Sequence, residues 1–538
     1  KIMAGPLWDF DRSLGPYGYP ESSFPNVRQW NAWTFSPDYF AGAAWWAKLH
    51  AQPAFRRLYW DRWAELRKGV WSETNLAATI ANLKAQIPEA AATRDYNKWS
   101  TWPTNDAFGR THTGEVNWLT WFVTNHAAWI DQNQFSKSSL LKAPLLSQGS
   151  CVRPAGTWVK VTLTAPEGDV IRYTLDGNDP ALWNDSVHPS ALSCASGTTL
   201  TLSSSCLLFA RAYNTSNSRW SLATRAEYLI GGRYAQPGDV ELSEIHYHPA
   251  LDETNNRLPE QIARSYEFVE LLNIADCDIC LTGCRFPDGK PADELTLGPT
   301  ILKPGEHAVI ARNSEAFKDR YGSTVTPIAY WLYGGLGDSG ETVILLNRNG
   351  ILLDSVDYNS SGKWPKSADG GGDSINRTTF GLMAESKPWQ AAIPTPGYGS
   401  YWEWLGLRGI SSPGGDDDGD GVSNLMEYYT GANPQDASDR GLSNFPGIYL
   451  DGGGLYIWYR QALNRSDVWA SVQASDDLLE WESIDTSYLS VESTGNGYLW
   501  SMTLSPEDVA LHPQRYFRLL VGSATSSNSG GSLPPVLP

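Results

Sequence analysis

Between residues 26 and 140 apolar residues recur at helical spacing. Pro53 opens a segment in which Phe55, Leu58, Tyr59, Trp63 and Leu66 repeat every three or four positions until Gly69 stops it. Ser36 followed by Pro37 is an earlier helix-start signal, and Ser72 begins a further helix with Leu76, Ile80, Leu83 and Ile87 on one stripe. From Glu115 to Ile130, Trp118, Leu119, Phe122, Val123 and Ala127 predict another inward face. These aromatic residues read as core.

After Pro144 the period changes from helical to alternating, and Gly, Pro, Asn and Asp punctuate short runs. TWVKVTLTAP, VIRYTLDGNDP, LTLSS and LLFARAYN predict the strands of a small β-sandwich over 146–232. A second β-rich unit spans 238–399, from DVELSEIHYHP through the alternating YEFVELLNI to TPGYGS, with turns at PDG, KPGE, NRNG and ADGGG. No strand there alternates with a long helix, which excludes a parallel doubly wound sheet. Residues 411–440 hold the acidic stretch SSPGGDDDGDG, and YIWYRQA, WASVQASD, GYLWSMTLS and RYFRLLVG predict a last small β domain over 446–523. The tail 524–538 is polar and reads as flexible. The fold class expected is therefore multidomain and mainly β: a helical N-terminal segment, immunoglobulin-like β-sandwiches, and a small C-terminal β domain.

Charge narrows the partners. Forty-one basic against 59 acidic residues give a net charge of -18, which repels phosphate backbones and excludes nucleic acid as an expected partner. No run of apolar residues is long enough to span a membrane, and the first residues lack the pattern of a secretion signal. The chain opens on Lys1 and reads as a piece of a longer or processed precursor. Its 25 Trp and 25 Tyr against 4 Met suit carbohydrate or protein surfaces as well as small cores. The six cysteines fall into two groups, Cys151, Cys194 and Cys206, then Cys277, Cys280 and Cys284. They are disulfide candidates. CDICLTGC is the sharper zinc pattern, but it supplies only three thiols and no neighbouring His completes a tetrahedron.

The strongest chemical signal lies in the acidic stretch. Asp416, Asp418 and Asp420 stand at positions 1, 3 and 5 of a loop, Gly421 at 6, the Val422 carbonyl at 7 and Glu427 at 12. That is the oxygen spacing of a calcium loop, in which alternate carboxylates converge if Gly permits the reversal. NLMEYYTG then predicts a short exiting helix. Among other candidates, His246 and His248 lie two apart on a strand and read as a structural pair. Glu244, Glu267 and Glu270 read as hydrogen-bonded surface carboxylates rather than an acid/base couple.

Three stretches resemble known families. GPLWDFDRSLG, with PAFRRLYWDRWAELRKGVWS behind it, resembles the CotH (spore-coat protein H) kinase family. That resemblance implies Asp9 and Asp11 as metal ligands, and magnesium and ATP as cofactors only if a nucleotide lobe, its phosphate-pairing Lys and a catalytic base are supplied upstream of Lys1. The 146–230 segment resembles the accessory β-sandwich at the C-terminus of chitobiases and β-hexosaminidases, through VIRYTLDGNDP, LLFARAYN and Trp220-Ser221. Residues 238–399 resemble a bacterial lamin-tail domain through LSEIHYHP, EFVELLNI, LKPGEHAVI and GGLGDSGETVILLN. The acidic linker resembles a thrombospondin type 3 or EF-loop element. The domain order looks like large secreted bacterial proteins. We therefore expect an extracellular or cell-surface protein of calcium-braced β modules that binds an extracellular polymer, a cell surface or copies of itself. The alternatives are the back half of a secreted CotH-type protein kinase and a glycan-binding adhesin.

Overall fold

A computed structural model describes residues 48–49, 51–99, 111–138, 140–250, 264–287, 294–331, 334–381, 389–439, 446–485, 489–512 and 514–523. Asp9, Asp11 and the Ser36-Pro37 helix start lie outside the described residues. The chain divides into two compact units, one of Lys1–Cys151 with Thr157–Tyr228 and one of Val152–Gly156 with Leu229–Pro538. No helix among the described residues is long and apolar enough to cross a membrane.

The first unit begins with helices α1 (Pro53–Lys68), α2 (Glu73–Ala85), α3 (Glu89–Trp99) and α4 (His112–Ser138). Pro at the first turn and Gly69 at the end bound α1, and the Ser72 hydroxyl accepts from Asn75 N to cap α2, as their sequences predict. The buried face of α1 is different from the predicted stripe. Ala54, Arg57, Trp60 and Asp61 are buried, whereas Leu58 is exposed and Phe55, Tyr59, Trp63 and Leu66 are half-buried. The reason is electrostatic: α1 docks on the sandwich through ion pairs as well as through Trp60, so its polar residues face inward. Leu83 and Ile87, predicted inward, are exposed, and α3, with Ala92 buried, is a further helix within the segment read as helical. In α4, Phe122 and Ala127 are buried as predicted.

The sandwich that follows has strands β1 (Leu145–Leu146), β2 (Val159–Thr164), β3 (Val170–Thr174), β4 (Leu192–Cys194), β5 (Thr198–Leu202), β6 (Cys206–Asn214) and β7 (Thr224–Ile230). One sheet runs β1-β2-β5 and the other β4-β3-β6-β7, all antiparallel. In β2, Val159, Val161 and Leu163 are buried and alternate with more exposed residues, the period-two pattern of a strand with one wet face.

In the second unit, one sheet holds β8 (Val240–His246), β9 (Phe268–Asn273), β10 (His307–Ala311), β13 (Ser374–Arg377) and β14 (Trp389–Ala392), in the order β10-β9-β8-β13-β14. Facing it is a sheet containing β11 (Gly340–Leu346) and β12 (Leu352–Asn359), and the two enclose a core that includes Leu242, Ile245, Val269, Leu271, Ile310, Val343 and Val356. Arg377 locks the two sheets together: buried itself, it reaches Glu241, Asp354 and the Leu242 carbonyl. The larger sheet is covered on its other face too, by helix α5 (Ser314–Tyr321), whose Phe317 packs with Phe268, Val309 and Ala311, and by helix α6 (Tyr401–Arg408). This double coverage buries every residue of β8 and β9.

Helix α7 (Asn424–Thr430) follows, and the unit ends with β15 (Gly447–Asp451), β16 (Gly454–Ala462), β17 (Val468–Ser475), β18 (Leu489–Ser493), β19 (Gly497–Leu504) and β20 (Tyr516–Ser523). Their sheets are β15-β16-β19-β18 and a second built on β17 and β20. The mainly β architecture, antiparallel apart from short parallel pairings such as that of Ile310 with Ala329, agrees with the fold class expected from sequence.

Candidate functional site

The acidic loop between α6 and α7 is where local sequence, burial and charge coincide. Ser423 caps α7 by accepting from Met426 N, and Gly431 ends it in the left-handed conformation, so NLMEYYT forms the helix its sequence predicts. Gly419 and Gly421 take φ of 75° and 93°, the reversal that brings alternate carboxylates together. Oxygens of Asp416, Asp418 and Asp420 lie within 4.8 Å of one another.

The loop amides account for part of these carboxylates. Asp416 accepts from Gly419 N at 2.8 Å and Gly421 N at 2.8 Å, Asp418 Oδ1 from Asp420 N at 3.2 Å, and Asp420 Oδ1 from Val422 N at 2.7 Å. The remaining oxygens are left over. Asp418 Oδ2, Asp420 Oδ2 and both carboxylate oxygens of Glu427 are buried without a hydrogen-bond partner. Glu427 is fully buried. Burial and the charges of Asp418, Asp420 and Asp416 push its carboxyl up to about 7. Four orphaned oxygens at the second, third and last acidic positions of the loop fit a hard cation, which takes six to eight oxygens and satisfies such atoms directly. Val422 stands in the turn between Gly421 and the Ser423 cap. Calcium bound there would neutralise the cluster and take Asp416, Asp418, Asp420, the Val422 carbonyl and Glu427 as ligands.

The loop sits at a joint that is otherwise well packed. The ring of Tyr401 of α6 packs at a tilt against that of Tyr428 of α7, with centroids 5.0 Å apart. Both reach Asp467, just before β17: Tyr401 N at 2.5 Å and the Tyr428 hydroxyl at 2.9 Å. Arg465 donates to the Tyr428 carbonyl at 2.7 Å and lies over its ring at 4.0 Å. Helices α6 and α7 are thus fastened to the residue that precedes β17.

Other sequence candidates fall out differently. Glu244, Glu267 and Glu270 are not surface carboxylates; they are 1 %, 0 % and 0 % exposed. The alternation in EFVELLNI had implied a wet face, but α5, α6 and the 395–400 turn cover it. His246 is buried, with Nδ1 2.7 Å from the Tyr321 hydroxyl, and His248 pairs with Asp369 at 2.6 Å, so each has its own partner. None of the six cysteines is bonded to another. Burial pushes the Cys206 thiol up to about 11 and Cys284 to about 12. Two functional candidates escaped sequence reading, His307 and Glu403. Glu403 stands three residues after the Ser400 cap, which reads as a capping partner, yet its carboxylate meets His307 Nε2 at 2.7 Å.

Comparison with known proteins assigns two segments. Residues 1–130 match the family described as CotH kinase protein, and residues 234–360 match the Lamin Tail Domain. No curated protein matches the chain in sequence. Among solved structures, the YadV chaperone aligns at 9 % identity and a TM-score of 0.20, over 40 % of this chain and 100 % of that one. The S-layer protein rSbsC(31-844) aligns at 11 % identity and a TM-score of 0.10, over 86 % of this chain and 62 % of that one. The chain is thus a multidomain, mainly β protein with a CotH-type segment and an immunoglobulin-like lamin-tail domain.

Proposed function

We propose that this chain serves as a secreted or cell-surface binding protein whose β modules are held in fixed register by calcium in the 411–440 linker. The observation that carries the reading is Glu427: both of its carboxylate oxygens are buried and unpartnered, and the charges of Asp418, Asp420 and Asp416 act on it. A buried, unpaired carboxylate is costly, and a divalent cation removes the cost. Millimolar extracellular calcium suits a site that contributes stability rather than signalling.

The β-sandwich at 146–232 acts as an accessory module of the chitobiase C-terminal type in this reading, and the lamin-tail domain supplies a binding or structural surface. The partner is an extracellular polymer, a cell surface or further copies of the chain. Asp9 and Asp11 are the metal positions of the CotH-type segment, which would use magnesium and ATP only when joined to a nucleotide lobe.

Isothermal calorimetry on the chelator-treated chain tests the reading. Calcium should bind with a heat that disappears in Glu427→Gln and Asp418→Asn, and magnesium should compete weakly because it favours a tighter octahedron. No calcium heat in the unmodified chain would remove the brace.

A further inference from the structure

Strands β8 and β9 place two acidic side chains face to face. Their register pairs Glu244 directly with Glu270, after a bulge at Ser243, and pairs Leu272 with His307 of β10. Like charges directly opposite in a sheet repel, and here neither reaches water. A third carboxylate arrives from α6. Glu403 Oε1 is 2.7 Å from His307 Nε2, and Glu270 Oε1 is 3.9 Å from the same nitrogen. Side-chain exposure is 0 % for Glu270, 9 % for His307 and 5 % for Glu403.

The surroundings are built to hold these groups. Ser243, released by the bulge, donates its hydroxyl to Glu270 Oε1 at 2.7 Å, and Gly397 N donates to Glu270 Oε2. Ser374 and Thr395 donate to Glu244. Gly399, at φ 73°, lies so close that a Cβ there would meet Glu403 Oε1 at 2.2 Å and His307 Nε2 at 3.1 Å. Only glycine leaves room for carboxylate and imidazole to converge.

We propose that Glu270, His307 and Glu403 form a buried three-residue site for a zinc-class divalent metal. One ligand atom from each of the three lies within 4.8 Å of the others. An imidazole nitrogen among carboxylates selects zinc or cobalt rather than calcium, which separates this site from the all-oxygen loop. The hydrogen bonds from Ser243 and Gly397 act as the outer shell that orients such ligands. The metal ties β9 and β10 to α6, the helix that precedes the 411–440 linker.

The test uses the full chain, stripped with chelator, resupplied with calcium in excess, then dialysed against limiting zinc and analysed for metal content. About one zinc per chain is expected, and cobalt in its place should give visible ligand-field absorption. His307→Gln and Glu270→Gln should each lower zinc affinity by more than about tenfold. His248→Ala should leave it unchanged. Circular dichroism and the calcium heat report whether each variant has folded. A chain that retains no zinc and shows no cobalt band, or folded His307 and Glu270 variants that bind zinc as the parent does, would overturn the site.

Discussion

Asp61 of α1 and Arg211 of β6 form a buried ion pair, Oδ2 to Nη2 at 2.5 Å, with side-chain exposures of 4 % and 0 %. Asp179 joins the same guanidinium at 2.7 and 2.6 Å, and Asp61 Oδ1 also accepts from Ala223 N at 2.8 Å. The pair fastens the helical segment to the sandwich within the first unit, where Trp60, Leu140 and Leu222 make a small apolar cluster. Removing one partner leaves the other charge buried. Arg211→Met should therefore destabilise the first unit by about 3–5 kcal/mol in urea unfolding, while the joint change Asp61→Leu with Arg211→Met should cost clearly less. Equal losses for the single and double variants would show that the pair contributes little beyond packing.

Glu267 gives a pH dependence of defined sign. It is fully buried, accepts from Leu336 N at 2.9 Å, and has its Oε1 unpartnered. Burial pushes it up to about 8, despite the opposing influence of Arg312 and Arg264. The folded state holds this proton more tightly than the unfolded chain, so the contribution is fully present below about 4.5 and is lost as pH rises through about 8. Relative to Glu267→Gln, the parent should lose stability over that window, on the order of 1.4 kcal/mol per pH unit. A stability difference that stays flat from pH 5 to about 8 would contradict this.

Much of the fold was legible in the sequence, because helix boundaries and strands follow local rules. Pro53, Gly69 and Ser72 set helix ends through backbone chemistry that involves no distant residue. The sandwich strands showed in period-two runs bounded by Gly, Asn and Pro. The convergence of the acidic loop was legible for the same reason: Asp416, Asp418 and Asp420 come from one contiguous segment. The His307–Glu403 contact was not, since 96 residues separate the two and only the docking of α6 on the sheet brings them together. The burial of Glu244 and Glu270 was hidden by the same docking. Alternation reports which residues share a face, and it does not report whether that face is later covered.

Gly399 tests the packing around that docking. Its φ of 73° and its contact with Glu403 leave no space for a side chain. Gly399→Ala should destabilise the second unit by more than about 1 kcal/mol and should reduce zinc retention in parallel. Gly409, also left-handed but with open space around it, is the control, and its alanine variant should cost less and leave zinc retention intact. Equal effects at both positions would show that backbone strain alone is being measured.

The calcium brace is tested most directly by calorimetric melting of the full chain with calcium and with chelator. A ligand bound only by the folded state stabilises it by about 2.7 kcal/mol at a hundred times Kd, so the transition of the second unit should move upward in calcium. The same shift should vanish in Glu427→Gln. Superimposable melts of the unmodified chain with and without calcium would contradict the account.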